Sequence, residues 1–518
     1  MGMSYTLIPA ANTTVVAWRI TGDYSIICGG NKYPTADDDD PASARSRADD
    51  EDEVCSDASA TAQSLNAYSD MGKNILCFLF NSYLGSYSDR YGRKALLALG
   101  VFLQVLPILV FAGQRLLMTR VEHADPLPDP ESDLVRAVLI LPTLYFVVNA
   151  LTGVVSFQAL LLAAATDVVP PGRGRAAAFG VILSIFMLGI AFSPFVVELL
   201  DTPDIAVVAA SVWGCVGVPL YMVFFFRETV SPRAAFEAKL RHEDELALSA
   251  SKASGASPPT PLRAAAGRAL APFMCMKILM RSRLFVVLTA LIVFTGMANE
   301  ASQTMLLYYV VAPPLKFTDD DNAQLMLMIG ITGIAANFIL LGPSVRFFGE
   351  RRTLLVSCIA GSIHTVIYAL ATTKREIFIG GSIVCLTMFS FPTLSAIKAN
   401  NASESEQGVL QGAVFAVKSL AAAVGPSIFA AIYKATKDGP IHGFAWFVGA
   451  TLFLIAVPLT YMLDEKKANS NYGTHAEREK EGGGGGGGGG GADESTLSEK
   501  LLRVDAGAED QLRPSSVV

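Results

Sequence analysis

Ionised side chains inside apolar runs are the residues of this sequence best placed to do chemistry. Each costs about 2.5–3.5 kcal/mol in the middle of a membrane-spanning helix and persists there against a partner or a cavity. Glu300 lies near the middle of the apolar run 283–312, and Gln303 and Thr304 follow at spacings of three and four, on one helix face. Lys418 stands inside the run 409–434, on a face shared with Gln411 and Phe415. Such an acid and base could meet or bracket a solute, and a buried Glu300 could carry a coupling proton. The structural alternatives stay open: a hydrogen-bonded acid, and a lysine whose stem carries its charge to the inner interface. Asp70 and Lys73, three apart in run 66–86 with Asn74 and Asn81 on roughly the same side, read equally as a self-neutralised pair or as part of a solute site. Asn149, Thr152 and Ser156 form a polar stripe at helical spacing in run 138–166.

A second kind of chemistry sits between runs. Gly85-Ser-Tyr-Ser-Asp89-Arg90-Tyr-Gly92-Arg93-Lys94 joins the first two, placing one acid and three bases in a loop that two glycines allow to turn tightly. These charges can form ion pairs that must rearrange if a helix bundle rocks. An echo, Gly342-Pro-Ser-Val-Arg346-Phe-Phe-Gly349-Glu350-Arg351, follows 257 residues on, with Arg346 where the first copy has Asp89. Two further stretches are rich in turn formers and charge: Asp167-Val-Val-Pro170-Pro171-Gly-Arg173-Gly-Arg175, and Glu406-Gln407-Gly408-Val-Leu-Gln411-Gly412.

The elements that must position these residues are spanning helices. The chain has 518 residues, 52% hydrophobic and 17% charged, against roughly a quarter charged in soluble proteins. Apolar runs fall at about 66–86, 95–113, 138–166, 176–200, 205–226, 283–312, 323–347, 353–373, 376–397, 409–434 and 441–463. Several reach the ~20 residues needed to cross hydrocarbon. Helices are expected, because each satisfies its own backbone inside lipid. The organisation expected is an acidic disordered segment at 1–65, a membrane half at 66–226, a cytoplasmic loop at 227–282, a second half at 283–463 and a disordered Gly-rich tail at 464–518. Lys and Arg gather in the loops around 90–94, 173–175, 227–283, 346–352 and 466–467, which are expected to be cytoplasmic. The N-terminus is then outside, and Asn12-Thr-Thr14 is open to glycosylation. Ser231-Pro232 is a helix start, and 262–282 reads as an amphipathic helix at the inner membrane surface or an ordinary solvated one.

Several functions are excluded. No G-x-x-x-x-G-K-[ST] phosphate loop occurs. No nucleophile, base and orienting group cluster as an enzyme requires. The seven cysteines lack metal spacing, and nothing in the residues suggests nucleic acid, the acidic excess sitting largely in the N-terminal segment. No cofactor or metal is expected. The expected partners are the lipid bilayer, a small organic solute and protons, with the chain working as a monomer.

The loop Gly85–Lys94, its echo at Gly342–Arg351, and the stretches from Asp167 and Glu406 resemble the major facilitator superfamily. Within it the stretch from Glu406 is similar to the hippocampus-abundant-transcript proteins and the tetracycline–proton antiporters. The resemblance covers about residues 66–463 and implies an all-α polytopic bundle of two halves around a central cavity, exchanging access between the two faces. It assigns run 66–86 to the family's helix two, giving about eleven spans with helix one missing. It implies that Asn149, Thr152, Glu300 and Lys418 sit on cavity-lining helices. Gly85, Asp89, Arg90, Gly92, Arg93, Lys94, Asp167, Arg173 and Arg175 become an inner gate. In that gate Arg93 or Arg90 approaches Asp167, and Asp89 meets the start of helix eleven around Gly408–Gln411, where free N–H groups suit a carboxylate. The antiporter signature survives only as Gly189-x-x-x-Ser193-Pro194, which puts proton antiport in doubt. The function expected is secondary transport of a small organic solute. The alternatives are a non-transporting receptor or scaffold of the same fold, or a truncated form of a twelve-helix carrier.

Overall fold

The computed structural model describes residues 12, 14–19, 21, 41–122, 132–172, 174–199, 208–209, 211–253, 276–311, 315, 317, 319–436 and 443–463. Among these residues the chain is helical throughout, with no strand. In the first half α1 spans Pro41–Tyr91, α2 Lys94–Glu122, α3 Asp133–Val168, α4 Gly174–Leu199 and α5 Val218–Phe224. The connecting helix α6 is Pro232–Ala253. In the second half α7 spans Arg283–Val311, α8 Asp319–Ala335, α9 Leu341–Leu370, α10 Lys374–Thr387, α11 Ser390–Asn400, α12 Gln407–Thr436 and α13 Phe444–Tyr461.

Seven stretches among the described residues are long and apolar enough to cross a membrane: Lys94–Val121, Asp133–Val168, Arg283–Gln303, Gln324–Leu370, Lys374–Asn400, Glu404–Tyr433 and Phe444–Tyr461. Gly174–Gly189 and Trp213–Met222 are shorter apolar helices. The protein is an integral, multi-pass membrane protein. Gln324–Leu370 joins two of the expected runs, and it bends where they meet, at Gly349 with φ 80°.

The N-terminal segment departs from the expected disorder. Residues 12, 14–19 and 21 are helical, and Val15, Val16 and Trp18 bury into a cluster with Phe111, Met118, Val138 and Tyr145 of α2 and α3. This short stretch is buried nearly all round, its polar Asn12 and Thr14 included, so its apolar residues outweigh the polar interruptions. Asn12, expected to be open to glycosylation, is buried and accepts a 3.0 Å hydrogen bond from Gln114 Nε2. Helix α1 starts at Pro41, well before the apolar run at 66, and its 51 residues extend about 75 Å at 1.5 Å each, far beyond one bilayer crossing. The tail 464–518, and 254–275 of the central loop with most of its expected amphipathic helix, lie outside the described residues.

Two contacts hold the halves together. Helices α1 and α3 pack along α12, and α4 lies against α8, α9 and α11. The second contact is an apolar layer of Leu162, Phe179, Leu341, Phe389 and Phe415. At the first, Gly85 and Gly408 bring backbone against backbone, and a Cβ at either position would overlap the other residue's carbonyl oxygen. Ser231 caps α6, accepting from Ala234 N at 3.2 Å, with Pro232 in the first turn.

Candidate functional site: an inner lock and a charged pair between helices

The C-terminal end of α1 delivers Asp89 to the N-terminus of α12. The two carboxylate oxygens accept from Gly408 N at 2.6 Å and Val409 N at 2.8 Å. A helix N-terminus offers unpaired N–H groups and a partial positive charge, so this is a favourable seat for a buried carboxylate. Gly92, with φ 99°, makes the turn that presents Arg93. The fully buried Arg93 guanidinium forks onto Asp167 at 2.6 and 3.0 Å, lies 3.0 Å from Asp89 Oδ1, and donates to Ser88 Oγ at 2.9 Å. Arg93 thus joins the carboxylate seated on α12 to the end of α3. Asp167 also accepts from Thr229 Oγ1 at 2.8 Å.

The other expected gate residues take different places. Arg90 donates to Ser86 O at 3.2 Å and lies 5.7 Å from the centroid of the Tyr91 ring. Arg93, rather than Arg90, therefore meets Asp167. Lys94 contributes its backbone N–H, which donates to Glu228 Oε2 at 3.1 Å, while Arg93 N donates to Glu228 Oε1 at 2.9 Å. Partial burial would raise the Glu228 pKa, but N–H groups of Arg93, Lys94, Val230 and Thr229 outweigh it and hold the carboxyl below the usual range. Arg175 is buried and donates to three backbone carbonyls, Val169, Ala399 and Thr166, at 2.8–3.0 Å. It therefore ties α4 to the end of α11. Arg173 lies outside the described residues.

The structure brings Glu300 and Lys418 together, with Nζ 2.7 Å from Oε1. Their side chains are 27% and 31% exposed, so the pair borders open space between helices. The Lys418 ammonium also lies 5.4 Å from the Phe391 ring centroid. Gln303 is exposed one turn on from Glu300. Next to Lys418, Ser419 donates to the buried Cys77 thiol of α1 at 2.7 Å. Lys73 lies one helical turn before Cys77, so lysines from both halves flank one contact, and Asp70 is within electrostatic reach of Lys73.

The polar stripe on α3 faces α1, and Asn149 also bonds the Asp70 carboxyl. Asn149 donates to Ser69 Oγ at 3.0 Å, and Thr152 Oγ1 donates to Asn149 O at 2.6 Å. The helix then breaks, and Ser156 N donates to Asn81 Oδ1 at 2.9 Å. These residues join α3 to α1 and are not brought to the Glu300–Lys418 pair.

Sequence reasoning missed Glu228, Lys398 and the ion pairs that Glu406 makes. Glu406 bridges Arg241 of α6 and Arg281, both at 2.8 Å, so the central loop is tied to the start of α12. The fully buried Lys398 donates to Thr289 Oγ1 of α7 at 2.8 Å. Its position just past the expected run 376–397 was the available signal. Glu228 carried a weaker one, as the first acid after run 205–226.

A two-half helical membrane bundle with a charged loop locked across the halves is the architecture of a secondary carrier. The family model of the major facilitator superfamily matches residues 71–426, and the chain belongs to that superfamily. Human hippocampus abundant transcript 1 protein is 23% identical over 378 residues, 72% of this chain and 67% of that protein. Tetracycline resistance protein, class G, of Vibrio anguillarum is 35% identical over 130 residues, 25% of this chain and 33% of that protein. The chain thus aligns with a third of that antibiotic-resistance protein. Among solved structures, the human organic anion transporter MFSD10 (TETRAN) shares the fold with a TM-score of 0.54 at 15% identity, covering 87% of this chain and 97% of that one. The proton:xylose symporter XylE gives a TM-score of 0.52 at 14% identity, covering 90% and 97%.

Proposed function

We propose that this protein is a secondary transporter that carries a small organic solute by alternating access, with Glu300 and Lys418 as the pair that couples solute to proton. The Glu300–Lys418 contact supports this reading. An ion pair inside a bundle, partly open to the space between helices, is expensive unless a partner or solute uses it. Protonating Glu300 releases Lys418, whose freed ammonium attracts an anionic or hydrogen-bonding group of the solute. Deprotonation restores the pair and expels the solute.

Asp89, Arg93 and Asp167 act as the inner lock in this scheme. They hold the cytoplasmic side shut while the charged pair faces the other side, and they part when the halves rock. The superfamily membership supports a carrier rather than an enzyme. The test is uptake into reconstituted vesicles by Glu300→Gln, with and without a pH gradient. The variant is expected to lose the gradient's stimulation. Retention of the unaltered pH dependence would remove Glu300 as the proton carrier.

A further inference from the structure

Below the charged pair, α11 and α12 run antiparallel, and two contacts set their register. Phe415 meets Phe391 with ring centroids 5.1 Å apart, just beneath the Lys418 ammonium. Two turns nearer the cytoplasm, Gln407 Nε2 donates to Ala399 O at 3.0 Å. Between these rungs the same register puts Gln411 level with Ser395.

Both residues are fully buried. Neither the amide nitrogen nor the amide oxygen of Gln411 has a hydrogen-bond partner, and neither does the Ser395 hydroxyl. Leaving a buried polar group unpaired costs about 1–3 kcal/mol, and native interiors contain few such groups. Two at one level, from facing helices, are unfavourable for the closed form taken alone. Leucine and alanine would fill these positions at lower cost.

The place of this layer points to a use. Phe415 belongs to the apolar layer that seals the halves, with Leu162 of α3 and Phe179 of α4 opposite. Just below, Arg175 of α4 closes onto Ala399 O at 2.8 Å. Gln411 and Ser395 therefore lie on the wall that α11 and α12 expose when α3 and α4 swing away. A solute leaving Lys418 inward must pass the Phe391–Phe415 pair and then this layer.

We infer that Gln411 and Ser395 form an inner subsite that takes an uncharged, hydrogen-bonding group of the solute, a hydroxyl or a carboxamide, on its way to the cytoplasm. Gln411 offers a donor and an acceptor side by side, and Ser395 offers either. The cation one turn below, Lys398, is engaged by Thr289 at 2.8 Å. The chemistry of the layer is thus that of a neutral group. This inference rests on the transporter reading.

The full chain, reconstituted in vesicles, is tested with radiolabelled xylose, which carries hydroxyls, and tetracycline, which carries hydroxyls and a carboxamide. Gln411→Leu and Ser395→Ala are each expected to cut uptake roughly five- to tenfold, the effect of one lost hydrogen bond. Their thermal unfolding midpoints should stay level or rise, because a buried orphan has been removed. Ser395→Thr, which keeps the hydroxyl, should restore uptake. Unaltered uptake in both variants would overturn the subsite and leave the transporter reading standing. A fall in uptake matched by a fall in thermal midpoint would overturn it too, since the residues would then be structural. A chain that carries neither probe would overturn the subsite's assignment to hydroxyl and carboxamide groups, and the transporter reading is tested by Glu300→Gln above.

Discussion

The two copies of the charged loop share a backbone and differ in what they hold. Gly92 and Gly349 occupy corresponding positions, and both adopt positive φ, at 99° and 80°. Each turn buries the side chain that follows, Arg93 in the first copy and Glu350 in the second, both fully inaccessible. From there the copies diverge. The first reaches across the molecule, with Asp89 on the backbone of α12 and Arg93 on the end of α3. The second also touches the other half, with Gly342 against Ala177 of α4 and Val345 in the shared apolar layer, but its Arg351 turns to its own half. Arg351 donates to Thr460 O at 3.1 Å and Tyr461 O at 3.2 Å of α13 and its end, and its guanidinium lies over the Tyr461 ring. Duplication has preserved the turn, because only glycine adopts that φ without strain, while the charges have been reassigned.

The seam on the other side of the molecule is correspondingly mild. Gly172 N donates to Asn400 Oδ1 at 3.1 Å, and Asn400 Nδ2 donates to Gly172 O at 3.2 Å. Arg175 meets backbone carbonyls there, where Asp89 at the first seam meets backbone N–H groups. The carboxylate fixed by two N–H groups and an arginine is a stronger tie than the reciprocal amide bonds of Gly172 and Asn400. In the scheme proposed above, the first seam would set the energy of inner opening.

The largest effect should come from denying the first seam its close approach. Gly85→Val places carbon where the Gly408 carbonyl now sits. The inner side then cannot close, uptake falls to background, and cysteines introduced along α12 become reactive to thiol reagents from the inner face. Wild-type uptake by Gly85→Val would show that the seam tolerates separation.

Asp89→Asn comes next. Removing the charge from a bond to backbone N–H costs about 1.5–3 kcal/mol, so uptake should drop tenfold or more while surface expression holds. Equal loss of expression would assign Asp89 to folding alone. Arg351→Ala sharpens the contrast from the other side. It should lower thermal stability by about 1 kcal/mol and leave labelling of the inner face unchanged, whereas Arg93→Ala should raise that labelling.

The smallest effect belongs to Glu228, which is exposed and caps the turn after Gly92. Its folded pKa lies below the unfolded value, so its contribution is present above about pH 4.3. It is lost as pH falls through the lower folded value. Hydrogen-exchange protection of the Arg93 and Lys94 amides should therefore be flat from about pH 8 to pH 5 and decay below about pH 4. Glu228→Gln should weaken that protection above about pH 5 and remove its decay below about pH 4.

Much of this was legible in the residues. The charged loops and their 257-residue echo follow from residue type and spacing, while the approach of Arg93 or Arg90 to Asp167 and the seat for Asp89 around Gly408–Gln411 were implied by the resemblance to the superfamily. Less legible were the N-terminal helix and the use of Asn149 and Thr152. Periodicity says that a polar stripe exists but not which neighbour it meets. In α3 the stripe meets Ser69 and Asn81 of α1, and the helix breaks where it does so.

By itself the sequence determined that the chain spans a membrane as helices, because long apolar runs have no other way to satisfy their backbones in lipid. It also determined where charge could collect, since ionised groups in hydrocarbon are too costly to be scattered. The tertiary structure alone decided which charges meet. Glu300 and Lys418 are 118 positions apart, and whether two such groups pair depends on the rotation of two helices about their axes. That rotation is set by the packing of every side chain around them, and no local spacing encodes it.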